Sequence, residues 1–291
     1  MRDQTWETIA AAIAQATHAP FEITNRRPVG GGSINHAYAV SSGNTAYFVK
    51  LNDATSLPMF EAEALGLRQI EQSKTIRVPH VICWGLADRA SYIVLEWLDL
   101  GHGSRQSWAA MGEKLAAMHR VTSDRGFGWD QNNTIGSTPQ PNPWTETWLD
   151  FWIDHRLGFQ FQLAKRRGGH FPQQAALLDA VPELLVGHTP EPSLVHGDLW
   201  SGNAAVTTAD EPVILDPATY FGDREVDLAM TELFGRFPPE FYDAYQRAYP
   251  LEPGYERRKI LYNLYHILNH FNLFGSGYES QANSMMASLL R

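Results

Sequence analysis

The chain has 291 residues, 44% hydrophobic and 12% aromatic, with 23 basic and 32 acidic side chains and a formal charge of -9. At about 100–200 residues per domain, that length gives one large domain or two modest ones, and the apolar content excludes a fibre, a disulfide-stapled miniprotein and a disordered tail. The acidic excess argues against a nucleic-acid partner, whose phosphate backbone is held by clusters of Lys and Arg.

Met1 to Ala16 sets Asp3 and Glu7 among Ala and Ile, which lacks the basic start and continuous apolar run of a secretory signal and predicts an amphipathic first helix. Val29-Gly30-Gly31-Gly32-Ser33 then makes a Gly-rich turn. Ala37 to Val40 and Ala46 to Leu51 read as a hairpin whose second strand ends at Lys50-Leu51. Pro58 opens a helix to about Glu71, with Phe60, Ala64 and Leu67 on one face and Glu63 in its first turns. Val78 to Trp84 and Ser91 to Trp97 are two more β-rich runs, so a small mixed sheet with one helix is expected over residues 1–98. A boundary is predicted near Asp99 to Ser104.

Residues 99–291 read as mainly helical. Helices are expected over Trp108 to His119, from Trp144 to about Arg167 after a Gly-, Asn- and Pro-rich loop, and over Tyr255 to Phe274 and Gln281 to Leu290. Trp148, Phe151, Trp152 and Leu163 are candidate core, and Glu256 to Lys259 reads as a solvated helix face. The single cysteine, Cys83, has no intramolecular disulfide partner. No apolar stretch approaches the ~20 residues that span a bilayer, and a cytoplasmic protein without membrane contact is expected.

The most informative segment is Leu194-Val195-His196-Gly197-Asp198-Leu199-Trp200-Ser201-Gly202-Asn203, followed by Val213-Ile214-Leu215-Asp216-Pro217. Two apolar strands ending in polar turns bring Asp198, Asn203 and Asp216 to adjacent strand ends. Phosphoryl transfer uses such a set: a carboxylate beside the attacking hydroxyl, and hard oxygen ligands for the magnesium that neutralises the phosphates. The interval from Asp198 to Asn203 matches the kinase catalytic-loop pattern D-x-x-x-x-N. Each residue alone is more simply a turn or cap; the set carries weight because the other parts stand in order upstream. Gly30, Gly31, Gly32 and Ser33 let backbone N–H groups approach a triphosphate, Lys50 reaches its α- and β-phosphates, and Glu63 orients Lys50. Glu61 competes for that last role. No G-x-x-x-x-G-K-[ST] occurs, which disfavours a P-loop NTPase.

On these residues the chain resembles the fructosamine (ketosamine) kinases, a branch of the aminoglycoside-phosphotransferase-like, protein-kinase-like fold. His196 to Asn203 is similar to that family's HGDLWxGN, with Trp200 its narrow letter, and Asp216-Pro217-Ala218 with Tyr220-Phe221-Gly222 to its DPA segment. Gly31 to Asn35 and Met59 to Glu63 resemble its phosphate loop and Lys-partner helix. The resemblance covers nearly the whole chain. It implies an α+β, bilobal fold, with a β-rich N-terminal lobe and a larger helical C-terminal lobe. It implies ATP and Mg2+ as cofactors and phosphorylation at C3 of a ketosamine, free or protein-bound, as in deglycation. By the same resemblance Asp198 is the base, Asn203 and Asp216 hold the metal, Glu96, Trp97 and Leu98 form the adenine-binding connection between lobes, and Trp200 walls the sugar site.

His196 is expected to brace its loop rather than move protons, and Asp227 to anchor that loop or cap the next helix. His266 and His270 have i, i+4 metal-ligand spacing, but no third ligand is evident. No cysteine lies in the phosphate loop, so redox control through it is not expected. Two rival readings stand: a kinase of the same fold acting on an aminoglycoside, choline or amino alcohol, and a catalytically silent nucleotide-binding protein.

Overall fold

The computed structural model describes residues 3–30 and 34–291. Helix α1 (Asp3–Thr17) buries Trp6, Ile9 and Ile13, whose spacing puts them on one face. That face covers one side of a five-stranded sheet ordered β1-β2-β3-β5-β4. Its strands are β1 (Asn25–Val29), β2 (His36–Ser42), β3 (Thr45–Asp53), β4 (Val81–Ala87) and β5 (Ala90–Glu96), all antiparallel to their neighbours. Helix α2 (Leu57–Ser73) packs on the opposite side through Phe60, Ala64, Leu67 and Ile70.

Strand alternation sorts the side chains between these two layers. Val49, Leu51, Tyr92 and Val94 join α1, whereas Ile93 and Leu95 join α2. Each such aliphatic side chain contributes ~1.5–3 kcal/mol when fully buried. Lys50 stands between Val49 and Leu51, so the same alternation turns it to the α2 side. The strand that was expected to stop near Lys50 runs on to Asp53, which makes Lys50 an interior strand residue.

Beyond Glu96 the chain is mainly helical. It contains β6 (Leu100–Gly101), α3 (Arg105–His119), β7 (Asn133–Ile135), β8 (Thr138–Gln140), α4 (Trp148–Trp152), α5 (Phe159–Arg166) and α6 (Gln174–Leu184). There follow β9 (Ser193–Val195), β10 (Ala204–Thr207), β11 (Pro212–Ile214), β12 (Tyr220–Gly222), α7 (Glu225–Thr231), α8 (Pro239–Ala248), α9 (Tyr255–Phe274) and α10 (Glu279–Leu289). The loop expected from Gly126 to Pro143 contains the β7–β8 hairpin. The helix expected from Trp144 to Arg167 begins at Trp148 and is interrupted by a π-helical turn, Ile153–Gly158. Around that turn Trp148, Phe151, Trp152, Tyr220 and Tyr262 form a buried aromatic core.

The Glu256 to Lys259 face is not wholly solvated. Arg258 is buried and forks onto Glu225 with N–O distances of 2.7 and 2.8 Å, because a fixed guanidinium can satisfy a buried carboxylate at two oxygens. Among the described residues no helix is long and apolar enough to cross a membrane.

Candidate active site

Two polar turns meet at the mouth of the small sheets β9–β12 and β10–β11. One, His196 to Asn203, joins β9 to β10; the other, Leu215 to Thr219, joins β11 to β12. Three bonds lock them together: Ala218 N–H to the His196 carbonyl (2.8 Å), Leu215 N–H to the Asn203 carbonyl (2.8 Å), and His196 Nε2 to the Leu215 carbonyl (2.8 Å). Gly197 makes the approach possible. It sits at φ +83°, and a Cβ there would stand 2.1 Å from the Ala218 oxygen.

Asp227, in the first turn of α7, accepts from His196 N–H (2.7 Å) and Gly197 N–H (2.8 Å) and pairs with buried His119 (3.0 Å). Burial opposes ionisation there, but the hydrogen bond and charge of His119 outweigh it and hold the Asp227 carboxyl below its usual range. Asp227 therefore anchors the loop. His196 donates from Nε2 to a carbonyl and receives Asp198 N–H at Nδ1 (3.2 Å), which leaves it no proton to exchange. Burial also lowers its pKa, so the ring is neutral and acts as a brace.

Asp198 lines the cleft. Burial, then the neighbouring Asp216 and Asp227 carboxylates, push its pKa up to about 7 against the opposing hydrogen bond from Asn203. A carboxylate so placed is matched to proton transfer at neutral pH. Asn203 closes the loop by donating Nδ2 to the Asp198 carbonyl at 2.8 Å and to its carboxylate at 3.3 Å. Among the described residues its own side-chain carbonyl oxygen has no hydrogen-bond partner.

Across the cleft, Lys50 Nζ lies 2.8 Å from Glu63 and 2.5 Å from Asp216. Glu63, one turn before Leu67 on the buried face of α2, is the partner; Glu61 makes no ion pair among the described residues. Burial works against the Lys50 ammonium, but the two carboxylates raise its pKa overall, and burial pushes Glu63 up against the pull of Lys50. Asp216 is held at φ +53° with a half-exposed side chain. Asp198, Asp216 and the Asn203 carbonyl oxygen make a hard-oxygen set with more negative charge than Lys50 alone offsets, which is the donor chemistry that magnesium takes.

These residues line one cleft of about 700 Å³ that also includes Gly30, Glu96, Trp97, Leu98 and Trp200. Arg77 Nη2 (2.6 Å) and His80 N–H (3.1 Å) hold the Glu96 carboxylate, while Glu96 N–H donates to the His80 carbonyl (2.8 Å). Trp97 donates Nε1 to Asp99 at 2.9 Å under the Arg27 guanidinium. Trp200 is half-buried with its ring lying on Gly202. Gly31, Gly32 and Ser33 lie outside the described residues.

The far end of the cleft is walled by Phe234, Asn269, His270, Phe274 and Tyr278, of which only His270 drew notice in the sequence. His270 stacks near Phe234 (4.5 Å) and donates Nδ1 to the His266 carbonyl (2.8 Å). His266 is buried, which lowers its pKa to about 3. The two rings thus serve packing and the cleft wall, and among the described residues they gather no third ligand.

The fructosamine kinase family model matches residues 5–291. A relative from Synechocystis sp., named "Probable ketoamine kinase", is 58% identical over 98% of this chain and 97% of its own. The chloroplastic protein-ribulosamine 3-kinase of Arabidopsis thaliana is 45% identical over 93% of this chain and 84% of its own. Among solved structures, the "Putative fructosamine-3-kinase" of Haemophilus somnus superposes with a TM-score of 0.93 at 31% identity, covering 99% of this chain and 98% of that one. Aminoglycoside phosphotransferase APH(4)-Ia, at 16% identity and a TM-score of 0.63 over 100% of this chain and 99% of that one, shares the fold.

Proposed function

We propose that this chain, which belongs to the fructosamine kinase family, is an ATP-dependent kinase that phosphorylates the C3 hydroxyl of ketosamines such as ribulosamines and fructosamines. The observation that carries this reading is the convergence of Lys50, Asp198, Asn203 and Asp216 on one cleft. The names of the plant and cyanobacterial relatives support the acceptor class.

In this reading residues 1–98 hold the nucleotide and residues 99–291 hold the catalytic loop and the acceptor. The backbone from Glu96 to Leu98 meets the adenine edge, and Lys50, oriented by Glu63, holds the α- and β-phosphates. Asn203 and Asp216 hold Mg2+, which neutralises phosphate charge when bound. Asp198 orients the acceptor hydroxyl and takes its proton as that oxygen bonds to the γ-phosphorus and the bond to the leaving ADP oxygen breaks. Trp200 walls the sugar. Phosphorylation at C3 makes the sugar–amine adduct labile, so the role is deglycation.

The test is ADP release with Mg-ATP against ribulosamine, fructosamine, aminoglycoside and choline acceptors. Ketosamine-dependent turnover is expected. Strong turnover on another acceptor with none on ketosamines would overturn the reading.

A further inference from the structure

Arg156 is a fully buried cation that, among the described residues, pairs with no carboxylate. It sits in the π-helical turn Ile153–Gly158, and such turns are rare and recur at functional sites. Its charge is met by the ring faces of Phe151 and Tyr220, 4.4 and 4.1 Å from Cζ. The Pro141 carbonyl and Asn142 Oδ1 each accept from the guanidinium at 2.7 Å.

From there a chain of buried amides leads to the turn that carries Asp216. Asn142 Nδ2 donates to Asn133 Oδ1 (2.9 Å), and Asn133 Nδ2 donates to the Thr219 carbonyl (2.8 Å). A second branch starts at the Tyr265 hydroxyl, which donates to Gln140 Oε1 (2.6 Å); Gln140 Nε2 then donates to the Ala218 carbonyl (3.0 Å) and to Asn133 Oδ1 (2.9 Å).

Both ends of the Arg156 branch fix its direction. A guanidinium only donates and a backbone carbonyl only accepts, so Asn142 must turn its oxygen to Arg156 and Asn133 its nitrogen to Thr219. Bonds aligned in one sense strengthen one another in a dry interior. The two branches end two and three positions beyond Asp216, which is held at φ +53°. A non-glycine residue keeps such a backbone only where its surroundings over-determine it, and the two held carbonyls supply that constraint.

Resting on the kinase reading above, we propose that Arg156 is a positioning residue for magnesium: through Asn142 and Asn133 it sets the turn from Leu215 to Thr219 so that Asp216 meets the metal. Being fully buried, it acts on the metal only through that turn.

The experiment measures ADP affinity by calorimetry with and without Mg2+ for wild type, Arg156→Met and Asn142→Asp, alongside Tm. Asn142→Asp keeps the side-chain shape and gives Arg156 a carboxylate, but it puts an acceptor where Nδ2 donated. Rotating the Asn133 amide to suit would set its oxygen against the Thr219 carbonyl, so the mismatch reaches the turn either way. Wild type is expected to bind ADP more tightly with Mg2+. Each variant is expected to lose about tenfold of that Mg2+-dependent gain, with metal-free ADP affinity held at the wild-type value. Arg156→Met also lowers Tm; where it fails to fold, Asn142→Asp decides. A full Mg2+ gain in Asn142→Asp, at any Tm, would overturn the proposal, as would an equal loss of ADP affinity with and without Mg2+. Wild-type ADP binding indifferent to Mg2+ would overturn the metal role of Asp216 and the proposal with it, whereas absence of ADP binding would refute the kinase reading itself.

Discussion

Replacing Lys50 by Met removes the cation that Glu63 and Asp216 share while keeping an unbranched side chain in β3. The two arms differ in worth. The Lys50–Glu63 side chains are 6% and 11% exposed, and stripping one partner from a buried pair costs ~3–5 kcal/mol. The Asp216 side chain is 50% exposed, so that arm adds no more than ~1 kcal/mol. At ~2 °C per kcal/mol for a chain of this size, Lys50→Met is expected to lower Tm by about 6–12 °C. Glu63 is already pushed toward its neutral form by burial, so the loss grows as pH rises and an unpaired carboxylate is forced to ionise. Lys50→Met/Glu63→Gln removes that charge and is expected to recover about half of the loss. Turnover falls by ~10²–10³ in both variants, since neither restores the phosphate contact. Thermal unfolding from pH 5 to 8 with a coupled ADP assay reads all of this. A single variant as stable as wild type, or a double variant less stable than the single, would refute the reasoning.

Three further outcomes are expected. Gly197→Ala, strained at φ +83° and driven into the Ala218 carbonyl, loses about 2–5 kcal/mol in denaturant unfolding and cuts kcat by displacing Asp198; near-native values would contradict the close approach. His188 lies between Asp223 and Glu252 (2.6 Å each), and these bonds outweigh burial and raise its pKa above the ordinary 6.5. Its stabilisation is thus full below pH 6.5 and fades as pH rises through the folded value. The Tm gap between wild type and His188→Asn should be widest in acid and shrink toward alkaline pH; a constant gap would remove the ion network as its source. The Asp198 carboxyl, near 7 without metal, is expected to drop on binding Mg-nucleotide as the Asp216 charge beside it is matched. The acid limb of kcat should then lie below the value that carboxyl-resolved NMR finds in the free protein, with rate rising through it; a limb at or above that value would contradict the electrostatics.

The chemistry was legible where it is local. His196 to Asn203 packs Asp198, its histidine brace and the Asn203 amide into one turn, and strand alternation carries Lys50 to the α2 side. The long helix α9 showed itself by period alone. Elements held by distant partners did not. β1 is a mostly exposed edge strand, Asn-Arg-Arg-Pro-Val, whose proline and arginines discourage further pairing and also erase the strand signal. β12 is three residues long, too short to show a period. Arg258 looked like part of a solvated face because its partner, Glu225, is 33 positions away. This wall of the cleft was hidden for a related reason: Phe234, Phe274 and Tyr278 have the same composition as the buried aromatic core, and only the tertiary fold turns them toward a cleft. Glu63 prevailed over Glu61 because the α2 face it shares is the one that packs on the sheet, a distinction that needs both elements.

Asp198 is proposed to take the acceptor's proton, and Asp198→Asn tests that role most directly. That substitution keeps the shape and the loop bonds made by the Asp198 backbone while removing the base. With Mg-ATP and a ribulosamine acceptor, the prediction is loss of phosphoryl transfer by at least ~10² with ATP affinity, read by calorimetry, held near that of wild type. Phosphorylated ketosamine formed at the wild-type rate by Asp198→Asn would contradict the account.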